Sequence, residues 1–157
     1  MELSIRKAIS KDIPQILSLL EQVLSIHAQG RPDLFIDHTT KYTKEELEEI
    51  LQEESRPIFV AVKDEEVLGY AFCEIQVYEN LNNMYDHKTL FIDDLCVDEA
   101  YRGEKIGKRL FQYVEEYAKE IDCNQITLNV WAFNEAAIHF YEQNGLCPMK
   151  YVMEKKI

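Results

Sequence analysis

The stretch Leu95-Cys96-Val97-Asp98-Glu99-Ala100-Tyr101-Arg102-Gly103-Glu104-Lys105-Ile106-Gly107-Lys108-Arg109-Leu110 decides how the rest of the chain is read. A β-rich apolar segment runs into a short loop with two glycines, then into an amphipathic helix expected from about Lys105. Such a junction leaves the first helical amides without partners and adds the positive end of a helix dipole, about +0.5 charge. It is a ready anion site, suited to a pyrophosphate. Arg102, Lys105, Lys108 and Arg109 add positive charge there. The plainer alternative is that Gly103 and Gly107 serve only a turn and close helix packing. The spacing is neither a P-loop, since no Gly-Lys-Ser/Thr follows, nor GxGxxG.

Upstream, Leu3 to Lys7 reads as a short first strand. From Ser10, expected as an N-cap, apolar residues at Ile13, Ile16, Leu17, Leu20, Val23 and Leu24 have helical spacing. Thr43-Lys44-Glu45-Glu46 is a capping box for a second helix with Leu47, Ile50 and Leu51 inward. The period then changes. Ile58 to Val62, Val67 to Val77 and Leu90 to Val97 are strands, the first two joined by Lys63-Asp64-Glu65-Glu66. Downstream of the helix that carries Leu110, Phe111 and Val114, Gln125 to Trp131 is a strand. Asn134 caps a last helix that ends at Gly145, and Tyr151 to Lys155 closes the chain as a strand. The order β-αα-βββ-α-β-α-β is that of an α/β domain, a mixed sheet flanked by helices. With no repeat and no linker, residues 1–157 read as one domain.

Charge excludes some partners. Seventeen basic against 29 acidic side chains leave −12, which argues against bulk binding to nucleic acid or an anionic membrane. It is compatible with a cationic substrate or with a merely solubilising surface. No apolar run approaches a membrane span, and Met1-Glu2-Leu3-Ser4-Ile5-Arg6 is not a signal peptide, so a cytoplasmic protein is expected. Cys73, Cys96, Cys123 and Cys147 lie far apart, without CxxC pairing, and read as reduced residues rather than metal ligands.

A second cluster is Asn134-Glu135-Ala136-Ala137-Ile138-His139-Phe140-Tyr141-Glu142-Gln143-Asn144-Gly145, with Ala137 and Tyr141 sharing a helical face. Together the two clusters, and the order of elements, resemble the GCN5-related N-acetyltransferase (GNAT) family over nearly the whole chain. Arg102, Ile106 and Gly107 fit its acetyl-CoA loop, where Lys105 replaces an expected glycine; Asn134, Ala137, Tyr141 and Gly145 fit its later pattern. If Lys105 takes ordinary helical angles, the helix starts there and the loop survives the replacement.

The resemblance implies a GNAT-like, mostly antiparallel sheet and an acyltransferase that uses acetyl-CoA as co-substrate and no metal. An amine would attack the thioester directly in a ternary complex. Backbone groups of Leu95, Cys96 and Val97 would pair with the pantetheine arm, leaving the Cys96 thiol a bystander. Arg102, Gly103, Lys105, Ile106, Gly107 and Lys108 would hold the phosphates, with Asn134 and Ala137 along the cofactor. Tyr141 falls at the family's general-acid position. Asp93, where diamine acetyltransferases of the family carry an acid, is expected as base or water-relay anchor. Strand alternation puts Asp93 and Asp94 on opposite faces; holding a substrate cation or a neighbouring loop is the alternative role, and Glu74 is a reserve base. The acceptor is expected to be a primary amine of a small molecule, polyamine-like among others. Protein or peptide N-acetylation and a CoA-binding module without turnover are the competing functions. His27, Arg31, Pro32, Asp33, Phe35 and His38, on the acceptor side, carry no recognisable specificity code. Homodimers are common in the family.

Overall fold

A computed structural model describes residues 2–157; Met1 lies outside the described residues. Five strands and four α-helices follow one another as β1 (Ser4–Lys7), α1 (Ile13–Gly30), α2 (Lys44–Ile50), β2 (Ile58–Lys63), β3 (Glu66–Tyr78), β4 (His87–Val97), α3 (Ile106–Glu120), β5 (Gln125–Leu128) and α4 (Glu135–Gln143). The strands form one sheet in sequence order, antiparallel throughout except for the parallel β4–β5 pair.

Both sheet faces are covered. On one, Ile13, Ile16 and Leu20 of α1 and Leu47 and Ile50 of α2 pack on Val60, Tyr70, Phe72 and Cys96. On the other, Ile106, Leu110, Phe111 and Val114 of α3 pack on Phe59, Leu68, Ala71, Leu90 and Ile92. Each such side chain, fully buried, contributes about 1.5–3 kcal/mol. The Thr43 box forms as read: Glu46 N donates to Thr43 Oγ1 (3.1 Å) and Thr43 N to Glu46 Oε1 (3.0 Å). Gly145 has φ +91°, left-handed backbone that ends α4 at glycine's low steric cost.

Four local expectations are corrected. Ser10 does not cap α1; its hydroxyl donates to Glu48 (2.7 Å), a 3-10 turn spans Ser10–Asp12, and α1 begins at Ile13. β5 stops at Leu128 rather than Trp131, because the chain turns toward α4 there. Tyr151 to Lys155 joins no strand and is exposed. The fourth concerns the two aspartates. β4 pairs Phe72 with Asp94 but Cys73 with Ile92, so Asp93 is an extra residue in a β-bulge. The bulge flips the alternation. Leu90 and Ile92 before it, and Leu95 and Val97 after it, all pack on the α3 side. Asp93 and Asp94 therefore share the opposite face rather than standing on different ones.

Candidate active site

β5 accompanies β4 only as far as Ile92, which faces Leu128. Beyond that pair the two strands part, and the outer edge of β4 from Asp93 to Val97 has no strand neighbour among the described residues. Leu95, Cys96 and Val97 thus have backbone groups beside an open wedge. Below it lies a cleft of about 440 Å3 walled by Val97, by Tyr101, Arg102, Gly103 and Lys105 to Lys108, and by Phe140, Gln143 and Asn144 of α4.

The cleft floor is the start of α3. No side chain caps this helix, and its first intrahelical bond from outside is Arg109 N to Lys105 O (3.1 Å), so the amides of Ile106, Gly107 and Lys108 open toward the cleft. Gly107 has a steric reason: a Cβ there would lie 3.2 Å from the Phe140 ring and 3.5 Å from Val97 Cγ2. Gly103 has a conformational one, φ +90° with open space around it. Lys105 departs from the helical angles expected of it, adopting φ 62°, ψ 20°. The chain must reverse sharply to aim the α3 amides, and that turn needs left-handed backbone even where the residue is lysine. Arg109 is turned away, donating to the Leu3 carbonyl (3.1 Å).

Asn134 caps α4, accepting from Ala137 N (3.2 Å). Neither residue lines the cleft; Ala137 lies one turn before Tyr141 on α4. The Tyr141 hydroxyl has no hydrogen-bond partner among the described residues. Burial first, then the neighbouring Asp94 and Cys96, push its phenol above the ordinary range, so it stays protonated. Cys96 is buried, its thiol pushed up to about 12 by burial and then by Asp94, and it lies 3.8 Å from the Leu19 carbonyl. It is not a nucleophile at neutral pH.

The two aspartates differ in partners. Asp93 accepts from Lys41 Nζ (2.8 Å) and from the Tyr42 hydroxyl (2.6 Å), which fastens the loop between α1 and α2 to β4. Tyr42 in turn stacks on Phe72, ring centroids 5.5 Å apart. Asp94 accepts one side-chain bond, from the Tyr70 hydroxyl to Oδ2 (2.7 Å), and its Oδ1 has no side-chain donor among the described residues. Burial pushes the Asp94 carboxyl up to about 6, against the pull of the Tyr70 bond and Lys41, while the Asp93 charge adds to the rise. Glu74 lies on β3 opposite Phe91, one pair beyond the bulge.

Aromatic rings meet between the end of α1 and the segment after β5. Phe35 meets Trp131 edge-on (5.5 Å) and His27 at 5.2 Å, and the Arg31 guanidinium lies 5.8 Å from the Trp131 ring centre. Burial, and then the Lys41 charge, hold His27 below its usual value, hence neutral. Pro32, Asp33 and His38 are exposed, and Asp33 pairs with Arg31. Sequence patterns alone do not single out Tyr42, Tyr70 and Trp131. Tyr70 is legible only through the register that sets it beside Cys96, and Tyr42 only as an aromatic just before a helix cap.

The chain matches the profile of the Acetyltransferase (GNAT) family over residues 20–146 and belongs to that family, whose co-substrate is acetyl-CoA. It is 31% identical over 94 residues to N-alpha-acetyltransferase 30 of Schizosaccharomyces pombe, covering 59% of this chain and 58% of that protein. It is 31% identical over 79 residues to thialysine N-epsilon-acetyltransferase of Bos taurus, covering 50% and 44%. The chain spans about half the length of the curated relatives it matches. Among solved structures, the tetramutant of BH1408 protein from Bacillus halodurans superposes with a TM-score of 0.94 at 31% identity, over 98% of this chain and 99% of that one. No helix among the described residues is long and apolar enough to cross a membrane.

Proposed function

We propose that this chain transfers the acetyl group of acetyl-CoA to a primary amine of a small cationic acceptor, the amine attacking the thioester directly. One observation carries the proposal: the open edge of β4 lies between an uncapped, basic helix start on one side and a paired-carboxylate face on the other. The first suits a pyrophosphate and the second an ammonium.

In this mechanism the amides of Ile106 to Lys108, with Arg102 and Lys105, hold the phosphates, while Asn134 fixes the start of the helix that carries Ala137 and Tyr141. The free edge at Leu95 to Val97 pairs with the pantetheine arm and aims an amide at the thioester oxygen, where negative charge grows. An alkyl ammonium, with a reference pKa near ~10.4, must lose a proton before it attacks. Asp94 takes that proton: its Oδ1 has no side-chain donor among the described residues, and burial raises its carboxyl to about 6. Asp93, already holding Lys41 and Tyr42, anchors the acceptor side and its water. Tyr141 protonates the departing thiolate, and the second proton that the nitrogen sheds on becoming an amide returns to the Tyr141 phenolate.

Thiol release from acetyl-CoA, measured over a panel of diamines, amino acids and peptides, tests this. Diamines should be turned over fastest. Peptide N-termini as the best acceptors would favour the activity for which the fission-yeast relative is named. Acetyl-CoA binding without thiol release to any amine would leave a CoA-binding module and overturn the proposal.

A further inference from the structure

Asp93 is held twice by the loop between α1 and α2, and the two holds are unequal. The Tyr42 hydroxyl reaches it at 2.6 Å, from a ring that stacks on Phe72, and itself accepts a bond from Arg56 (3.3 Å). Lys41 Nζ reaches it at 2.8 Å, from a side chain that is 49% exposed. An ion pair in contact with water adds only about 0–1 kcal/mol. Tyr42 therefore fastens the loop, and Lys41 can leave the carboxylate without loosening it.

What Lys41 has is position. Among the described residues it is the only one of the twelve lysines within ion-pair distance of Asp93 or Asp94. Its charge also acts on the Asp94 carboxyl and on His27. Asp93 is the bulge residue, and Leu95 on the free edge of β4 follows two residues later, about 7 Å along a strand. The carboxylate face that suits an acceptor's ammonium thus already carries an ammonium of the chain itself. It sits on a flexible four-carbon stem, beside the edge where the thioester would lie.

We infer that Lys41 is itself an acceptor: with acetyl-CoA bound, its Nζ takes the acetyl group within the same chain. The step rests on the acetyl transfer proposed for this site. The ammonium gives one proton to Asp94, which passes it to solvent. Nζ then attacks the thioester carbon, so that a C–N bond forms and the C–S bond breaks. The second proton lost from nitrogen goes by way of Tyr141 to the CoA thiolate. The products are Nε-acetyl-lysine and the free CoA thiol. Tethering supplies the proximity that a free amine must gain by binding. Acetylated Lys41 carries no charge and makes no ion pair with Asp93. The reaction therefore stops after one turnover per chain and leaves Asp93 Oδ1 open to a cationic acceptor.

Acetyl-CoA added to the full chain with no amine present tests this, with peptide mass spectrometry following the label. One acetyl group per chain should appear at Lys41, well ahead of the other eleven lysines and at a rate independent of protein concentration. Lys41→Arg should lose that group, and unfolding in urea should slow its appearance roughly a hundredfold. A Lys41 that stays unlabelled overturns the inference. So does labelling whose rate rises with protein concentration, or equal rates in the folded and urea-unfolded chains, which would be ordinary chemical acetylation. Thiol release to a diamine, measured on the same parent protein, separates the two readings. Diamine turnover with no label at Lys41 overturns this inference alone, whereas neither label nor turnover overturns the acetyl-transfer reading with it.

Discussion

The Tyr70 hydroxyl donates a 2.7 Å hydrogen bond to Oδ2 of Asp94, linking a fully buried position on β3 to the carboxylate that follows the β4 bulge. Tyr141 on α4, Asp93 and Cys96 on β4 and Lys41 in the α1–α2 loop are the other titratable groups that act on Asp94 or feel its charge. With the carboxyl at about 6, kcat/KM should fall on the acid side with a limb near that value. Asp94→Asn should lower the rate by roughly a hundredfold or more and abolish the limb. Tyr70→Phe removes a bond that favours the ionised form, so the limb should move to higher pH. A limb unmoved in both variants would take Asp94 out of the mechanism.

The same raised pKa has a stability consequence of definite sign. The unfolded carboxyl ionises near 3.8 and the folded one near 6. The burial-favoured protonated form thus supports folding fully below the unfolded value, and that support is lost as pH rises through the folded one. Asp94→Asn should therefore melt higher than the parent above pH 6, with the gap closing as pH falls toward 4. Thermal melts across that range check it.

Lys105 in left-handed backbone predicts a gain from glycine. The strain relieved is about 1–2 kcal/mol, partly offset by glycine's greater freedom in the unfolded chain. Lys105→Gly should raise the melting temperature and change acetyl-CoA affinity only a few-fold, through one lost charge. A lower melting temperature would contradict the observed backbone angles.

Gly107 separates binding from folding. An aspartate there puts a Cβ within 3.2 Å of the Phe140 ring and a negative charge where phosphate should sit. A carboxylate in the first turn of a helix is otherwise favourable. Gly107→Asp should weaken acetyl-CoA binding by about tenfold or more, measured by calorimetry, with the fold retained. An unchanged Kd would remove the phosphates from the α3 start.

What could be read in the sequence follows period and capping. α2, α3 and α4 declared themselves through Thr43, the Leu110–Phe111–Val114 stripe and Asn134. The uncapped start of α3 and the Asn134 cap of α4 were legible because glycine and helix-start chemistry are local. The bulge was not. Strict alternation sends Asp93 and Asp94 to opposite faces, and only the pairing with Phe72 and Cys73 shows the extra residue. Lys105 misled for a related reason, since the need for a left-handed turn comes from where α3 must point. The strand read at Tyr151 to Lys155 fails because a strand needs a partner, and the local apolar pattern does not supply one.

The central claim, acetyl transfer assisted by Tyr141, is tested most directly by single-turnover acetylation of a diamine with Tyr141→Phe. That substitution keeps the ring and removes a hydroxyl that has no hydrogen-bond partner among the described residues, so melting temperature and acetyl-CoA Kd should stay near those of the parent. The transfer rate should fall roughly a hundredfold or more. A parental rate in the folded variant would contradict the account and leave Tyr141 as a packing residue of α4.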